Sequence, residues 1–300
     1  MNLRFWQRPK PVPSALEQRD QWLEWMLLGG SKKSTVDGYR QITNRLLERF
    51  PELLLAEFND DHVLGIIEDA NPASRQSLRG AYANLFGWAY RTKRVPRNLM
   101  DHVPTFKQPP PPPIECFNEV ERKALCSLPD PDGALMAVLF GTGIRKSEAR
   151  NLRVRRVDLD NAELHVIDGA KGDSVGVVAL SARLVSRLAG YFLTEGLNED
   201  DFLWYCHPGG TPVRRHDRAI ADGAIHNWWA RCIDQAGVRY RKLHTTRHTF
   251  ATELRRNGVA LDDLSFLLRH ADPRTTRKVY DHTRLIDIRV RAEAALEALV

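Results

Sequence analysis

The segment Gly141-Thr142-Gly143-Ile144-Arg145-Lys146-Ser147-Glu148 is a glycine-rich turn leading into a helix. Such a turn brings backbone N–H groups and the Arg145 guanidinium towards one place, and a helix N-terminus favours an anion. It is not a P-loop, because the Gly-x4-Gly-Lys-Ser spacing is missing. A second signal is His244-Thr245-Thr246-Arg247. Residues three apart share one face of a helix, so on one helical turn His244 and Arg247 face the same way. Arginine binds phosphate through planar, bidentate contacts, and histidine gives or takes a proton near neutral pH. His270 follows an apolar helical stretch at 261–268, and Tyr280 follows Thr275-Thr276-Arg277-Lys278-Val279. Lys171 lies in Gly169-Ala170-Lys171-Gly172-Asp173. Alone, each element has a plainer reading: Arg145, for example, as a structural ion-pairing arginine. Together they offer two anion-binding cations, proton donors and acceptors, and a phenol.

A metal-based reading is weaker. His244 and His248 have the i, i+4 spacing of a zinc helix, but the position that needs a glutamate base is Thr245, and Arg247 would set a positive charge beside the ion. Cys116, Cys126, Cys206 and Cys232 have no C-x-x-C spacing and read as reduced thiols of a cytosolic protein. The expectation is a protein with no metal and no cofactor.

The elements that must position these residues fall into two groups. Pro109 to Pro113 is a run of five prolines, which excludes helix and central strand and adopts polyproline II. At the rise of that conformation it is a stiff strap of roughly 15 Å. Residues 1–107 are read as one domain, 108–113 as the linker, and 114–300 as a second domain with a tail helix. In the first, Ser14, Ser34 or Thr35, Asn59 or Asp60, and Ser74 start four helices. The last carries Leu78, Tyr82, Leu85, Phe86 and Trp88, and ends in the basic cluster Arg91, Lys93, Arg94 and Arg97. That cluster is either a solvated helix end or a set of phosphate contacts. In the second domain, 119–128 and 133–140 read as helices. A β-hairpin runs through 163–167 and 175–180, because β-branched runs flank a glycine-rich turn. Ser181 caps a helix to about residue 192, and the pattern is helical again from Ala224, with Gly237 and Gly258 as stops. The fold class is mainly α with a small β-hairpin or sheet.

A formal charge of +6, a pI of about 9.2 and 43% hydrophobic residues fit a globular protein with a polyanionic partner. No apolar run approaches the ~18 residues of a membrane span. The basic start, with Arg4, Arg8 and Lys10, has no apolar stretch behind it and is not a secretory signal.

The motifs, in order, resemble those of the tyrosine recombinase (phage integrase) family. Arg145 with Glu148 resembles its T-G-x-R-x-x-E segment, Lys171 its β-hairpin lysine, and His244 with Arg247 its H-x-x-R pair. His270 resembles its second histidine and Tyr280 its nucleophile. The likeness runs from about residue 119 to 283, and more softly through the N-terminal helices around Lys33-Ser34-Thr35 and Tyr39. The chain departs from the family in two places. Arg269 stands where glycine usually precedes the second histidine, and the step from His270 to Tyr280 is ten residues where nine is usual.

The resemblance implies an N-terminal helical core-DNA-binding domain and a mixed α/β catalytic domain. It implies a site-specific recombinase that cleaves and rejoins DNA through a 3′-phosphotyrosyl link, without metal or ATP, in the bacterial cytoplasm. Its catalytic residues would be Arg145, Lys171, His244, Arg247, His270 and Tyr280. Its partners would be double-stranded core sites and three further copies of itself, as a homotetramer on two duplexes that is a monomer or weak dimer when free. About thirteen residues precede the first helix, so the expectation is a simple integrase with no arm-binding domain. The apolar tail after Tyr280 would dock in a neighbouring protomer. The competing reading is a DNA-binding protein of the same fold with impaired catalysis.

Overall fold

A computed structural model describes residues 13–110, 113–167, 175–205 and 216–269. Lys171, His270, Tyr280 and the apolar tail lie outside them. The chain divides between Pro112 and Pro113 into two units, each with its own core.

In the first unit, Ser14 starts helix α1 (Ala15–Leu28) with a reciprocal cap. Its hydroxyl accepts the Glu17 N–H at 3.2 Å, and the Glu17 carboxylate accepts the Ser14 N–H at 2.8 Å. Asn59 caps α3 (Asp60–Glu68) through the His62 N–H. Two helix starts differ from the reading. Helix α2 (Lys33–Arg49) begins after Lys32 with no side-chain cap, so neither Ser34 nor Thr35 serves as one. Helix α4 (Pro72–Arg91) begins at Asn71, ahead of Ser74, because the Asn71 side chain accepts the Ala73 N–H and Pro72 occupies the first helical position. Helix α4 is the centre of this unit. Its Tyr82, Leu85 and Phe86 are fully buried with Trp22 and Leu23 of α1, Leu46 of α2 and Ile67 of α3. Leu16 and Trp25 of α1 face solvent.

The second unit is mainly helical around a small sheet, the fold class expected. Its elements are α5 (Glu119–Cys126), α6 (Asp132–Thr142), α7 (Lys146–Arg150), β1 (Val157–Asp158), β2 (Glu163–Ile167) and β3 (Val175–Ala179). They continue with α8 (Ala182–Glu195), α9 (Asp222–Gln235), α10 (Thr245–Arg256) and α11 (Leu261–Leu267). Ser181 caps α8 through the Leu184 N–H. The hairpin of β2 and β3 is antiparallel, with Leu164 opposite Val178 and Val166 opposite Gly176. Leu164, Val166 and Val178 turn into the core. The two-residue strand β1 pairs on the far side of β2 and makes the hairpin a three-stranded sheet. Among the described residues no helix is long and apolar enough to cross a membrane.

Candidate active site

Helix α6 ends at Gly143, which has φ +59°, the left-handed region that suits glycine. A Cβ there would collide with the Phe250 ring of α10. The bare backbone therefore lets α6 and α10 approach closely. The chain then turns through Ile144, buried in the core, to Arg145 in the N-cap position of α7. The Arg145 N–H donates to Glu148 Oε2 at 2.6 Å, and its Nη1 donates to Glu148 Oε1 at 2.7 Å. The indole of Trp204 holds the far end of α7 by donating to the Ala149 carbonyl at 2.9 Å. Lys146, next in sequence, points elsewhere, to Asp222 at 2.8 Å and His226 at 3.1 Å on α9.

Arg247 lies in the first turn of α10 and is 2% exposed. Its Nη1 donates to the Gly143 carbonyl at 2.6 Å, and its Nη2 to the Leu268 carbonyl. Arg145 Nη2 donates to the next carbonyl, Arg269 O, at 3.2 Å. The two arginines thus converge on successive carbonyls at the C-terminal end of α11, where the helix dipole favours cations. His244 precedes Arg247 by one turn, and its ring meets His248 edge-on with centroids 4.9 Å apart. Burial, and then the Arg247 and Arg145 cations, hold the His244 imidazole below its ordinary pKa. Burial, then His244 and Arg247, push His248 down to about 4. A lowered pKa favours the neutral imidazole, the form that can accept a proton.

Glu148, the acidic residue three positions after Arg145, is also part of the site. Its side chain is 4% exposed and touches two guanidinium groups, Arg145 and, at 2.8 Å, Arg269 Nη2. Burial raises its pKa; the Arg269 charge, followed by the Arg145 N–H and side chain, outweighs burial and leaves the carboxyl below its usual range. Arg145, His244 and Arg247 are thus brought around one point, together with Glu148 and Arg269.

The basic cluster of the first unit divides. Arg91 and Lys93 are exposed. Arg94 lies over the Trp88 ring at 4.5 Å and donates to Gln21 at 2.8 Å. Arg97 reaches Asp60 at 3.4 Å.

Residues 118–285, more than half of the chain, match the model of the phage integrase family. The tyrosine recombinase XerD of Ralstonia nicotianae is 28% identical over 286 residues, 87% of this chain and 86% of that protein. The tyrosine recombinase XerC of Pelobacter propionicus is 30% identical over 155 residues, 51% of this chain; the match spans 48%, about half, of that relative. The Tn1549 transposon integrase, solved in complex with a circular intermediate DNA, shares the fold with a TM-score of 0.71 at 14% identity, over 94% of this chain and 99% of that one. With a family model over most of its second unit and a tyrosine recombinase aligned along most of its length, the chain belongs to the phage integrase family of tyrosine recombinases.

Proposed function

We propose that the protein is a site-specific recombinase that cuts and rejoins double-stranded DNA at short core sites. The observation that carries this reading is the meeting of Arg145 and Arg247 on successive carbonyls beside a neutral His244. Two fixed cations suit the nonbridging oxygens of one phosphodiester, whose negative charge grows in the transition state. Tyr280 attacks the phosphorus. Its phenol, with a reference pKa of about 10, needs nearby positive charge and a base, and His244 is that base. Lys171 protonates the departing 5′-oxygen, and His270 hydrogen-bonds the phosphate. The products are a 3′-phosphotyrosyl link and a free 5′-hydroxyl. The link conserves the phosphodiester bond energy, so rejoining needs no ATP, and arginine charge takes the place of a metal ion.

In this reading residues 1–107 grip the core site, the segment 108–113 is the strap, and residues 114–300 catalyse. Four protomers act on two duplexes in the cytoplasm, and the free protein is a monomer or weak dimer. The Tn1549 integrase structure contains DNA, which supports a duplex partner. The test is incubation with a nicked suicide duplex followed by denaturing electrophoresis. Wild type should form a covalent adduct in EDTA, and Tyr280→Phe should bind the duplex without one. An adduct from Tyr280→Phe would reassign the nucleophile. Binding without an adduct from wild type would favour the impaired DNA-binding protein.

A further inference from the structure

Arg269 adopts φ +53° directly after α11, a left-handed conformation that costs a non-glycine residue on the order of 1–2 kcal/mol. Its N–H closes the helix end on the Phe266 carbonyl at 2.8 Å. A glycine would satisfy that backbone without strain, so the reason for arginine lies in its side chain. That side chain is 8% exposed and runs to Glu148 Oε2 at 2.8 Å. On its way the stem crosses β3 at Gly176, where a Cβ would strike the Arg269 Cδ and Cγ. Gly176 is paired with Val166, and the next pair, Ile167 with Val175, is the last before the connection that contains Lys171.

We propose that Arg269 is a positioning residue of the cleavage site, which fixes the Glu148 carboxylate that orients Arg145 and braces strand β3 to the same point. The proposal rests on the recombinase reading above. Two consequences distinguish Arg269 from a glycine. One carboxylate between Arg145 and Arg269 leaves a net positive charge, where a lone Arg145–Glu148 pair would be neutral. The brace also joins three pieces of chain, the start of α7, the end of α11 and strand β3, through one side chain. The arginine and Gly176 form a matched pair, since the stem needs the space that a Cβ would fill.

The experiment uses the full-length protein with Arg269→Gly, Arg269→Met, Arg269→Lys, Gly176→Ala and the double variant Arg269→Gly/Gly176→Ala. Arg269→Gly removes the side chain while relieving the backbone, so loss of fold is not its expected effect. Duplex affinity should stay within about twofold, because many other contacts supply it. Adduct formation on the suicide duplex should slow about tenfold in Arg269→Gly and Arg269→Met, as expected for one lost charge-assisted bond. Arg269→Lys should recover most of that rate. Gly176→Ala should slow cleavage similarly on its own but add nothing in the double variant. Amide hydrogen exchange at residues 176–179 should speed up in Arg269→Gly. A wild-type cleavage rate in Arg269→Gly, or full additivity with Gly176→Ala, would overturn the proposal. If wild type forms no adduct, the recombinase reading fails, and exchange at β3 judges the brace by itself. Faster exchange in Arg269→Gly supports it, and unchanged exchange sinks it.

Discussion

Arg145 and Arg247 carry the same charge to the same place but are built in differently. The Arg145 side chain is 30% exposed and leans on Glu148. Arg247 is sealed inside, with the carbonyls of Gly143 and Leu268 as partners. Each alanine variant should slow adduct formation by about 10²–10³-fold, the usual cost of one preorganised charge donor, with duplex affinity largely kept. Their stabilities should differ. Arg247→Ala strands two buried carbonyls and should cost about 1–3 kcal/mol, whereas Arg145→Ala should cost less, because the Arg145 side chain is partly exposed and Glu148 keeps its Arg269 partner. Denaturant titration beside single-turnover cleavage separates the two effects. Equal losses of stability would mean that both arginines are chiefly structural. Most of this residue set is legible in the sequence, because Arg145 with Glu148 and His244 with Arg247 lie within one helical turn of each other. The Glu148–Arg269 bond is not, since it links positions 121 apart and depends on how α11 meets α7.

Among the elements, the contact between α6 and α10 decides where both arginines sit, and Gly143 decides that contact. Gly143→Ala would force a Cβ into Phe250 at a positive φ. It should destabilise the protein by about 2–4 kcal/mol, from overpacking and left-handed strain together. Cleavage should fall further than the loss of folded protein explains, because the Gly143 carbonyl also holds Arg247. Chemical denaturation and an adduct assay normalised to folded protein check this; a neutral substitution would remove Gly143 from the account. The legible elements are those with a local chemical signal. Ser14, Asn59 and Ser181 cap their helices through their own side chains, and the β2 and β3 runs have β-branched residues around a glycine-rich turn. Helix α2 starts on Lys32 with no side-chain cap, so the sequence pointed to the nearby Ser34 and Thr35. Helix α4 was legible in Asn71-Pro72, a start signal that Ser74 overshadowed. Strand β1 is two residues long and has no alternation to read; only pairing with β2 makes it a strand.

At the scale of the whole molecule, the two units have separate cores, and the basic residues at the end of α4 belong to the first. Arg94 is held by Trp88 and Gln21, while Arg91, Lys93 and Arg97 are exposed, Arg97 within 3.4 Å of Asp60. If this unit grips phosphates, Arg91→Ala/Lys93→Ala should reduce the salt slope of duplex binding by about two units, near 0.9 for each cation lost. Arg94→Ala and Arg97→Ala should change it less, and the cleavage position should not move. Salt titrations of affinity supply the measurement, and an unchanged slope in the double variant returns the pair to the solvated surface. The second unit is closed at its beginning by ties to α10. The Phe117 N–H donates to Thr249 at 3.1 Å, Arg122 pairs with Glu253 at 3.2 Å, and Gly143 bonds Arg247. Contacts so distant along the chain need both of their segments and slow the folding of the unit that makes them, and domains fold as units, N-terminal first, during synthesis. On the ribosome the first unit can finish while the second still lacks its arginine pair. On the proposed function, the nascent chain would complete the unit read as gripping a duplex before the unit read as breaking one, and a polypeptide that ends short of α10 lacks Arg247 altogether.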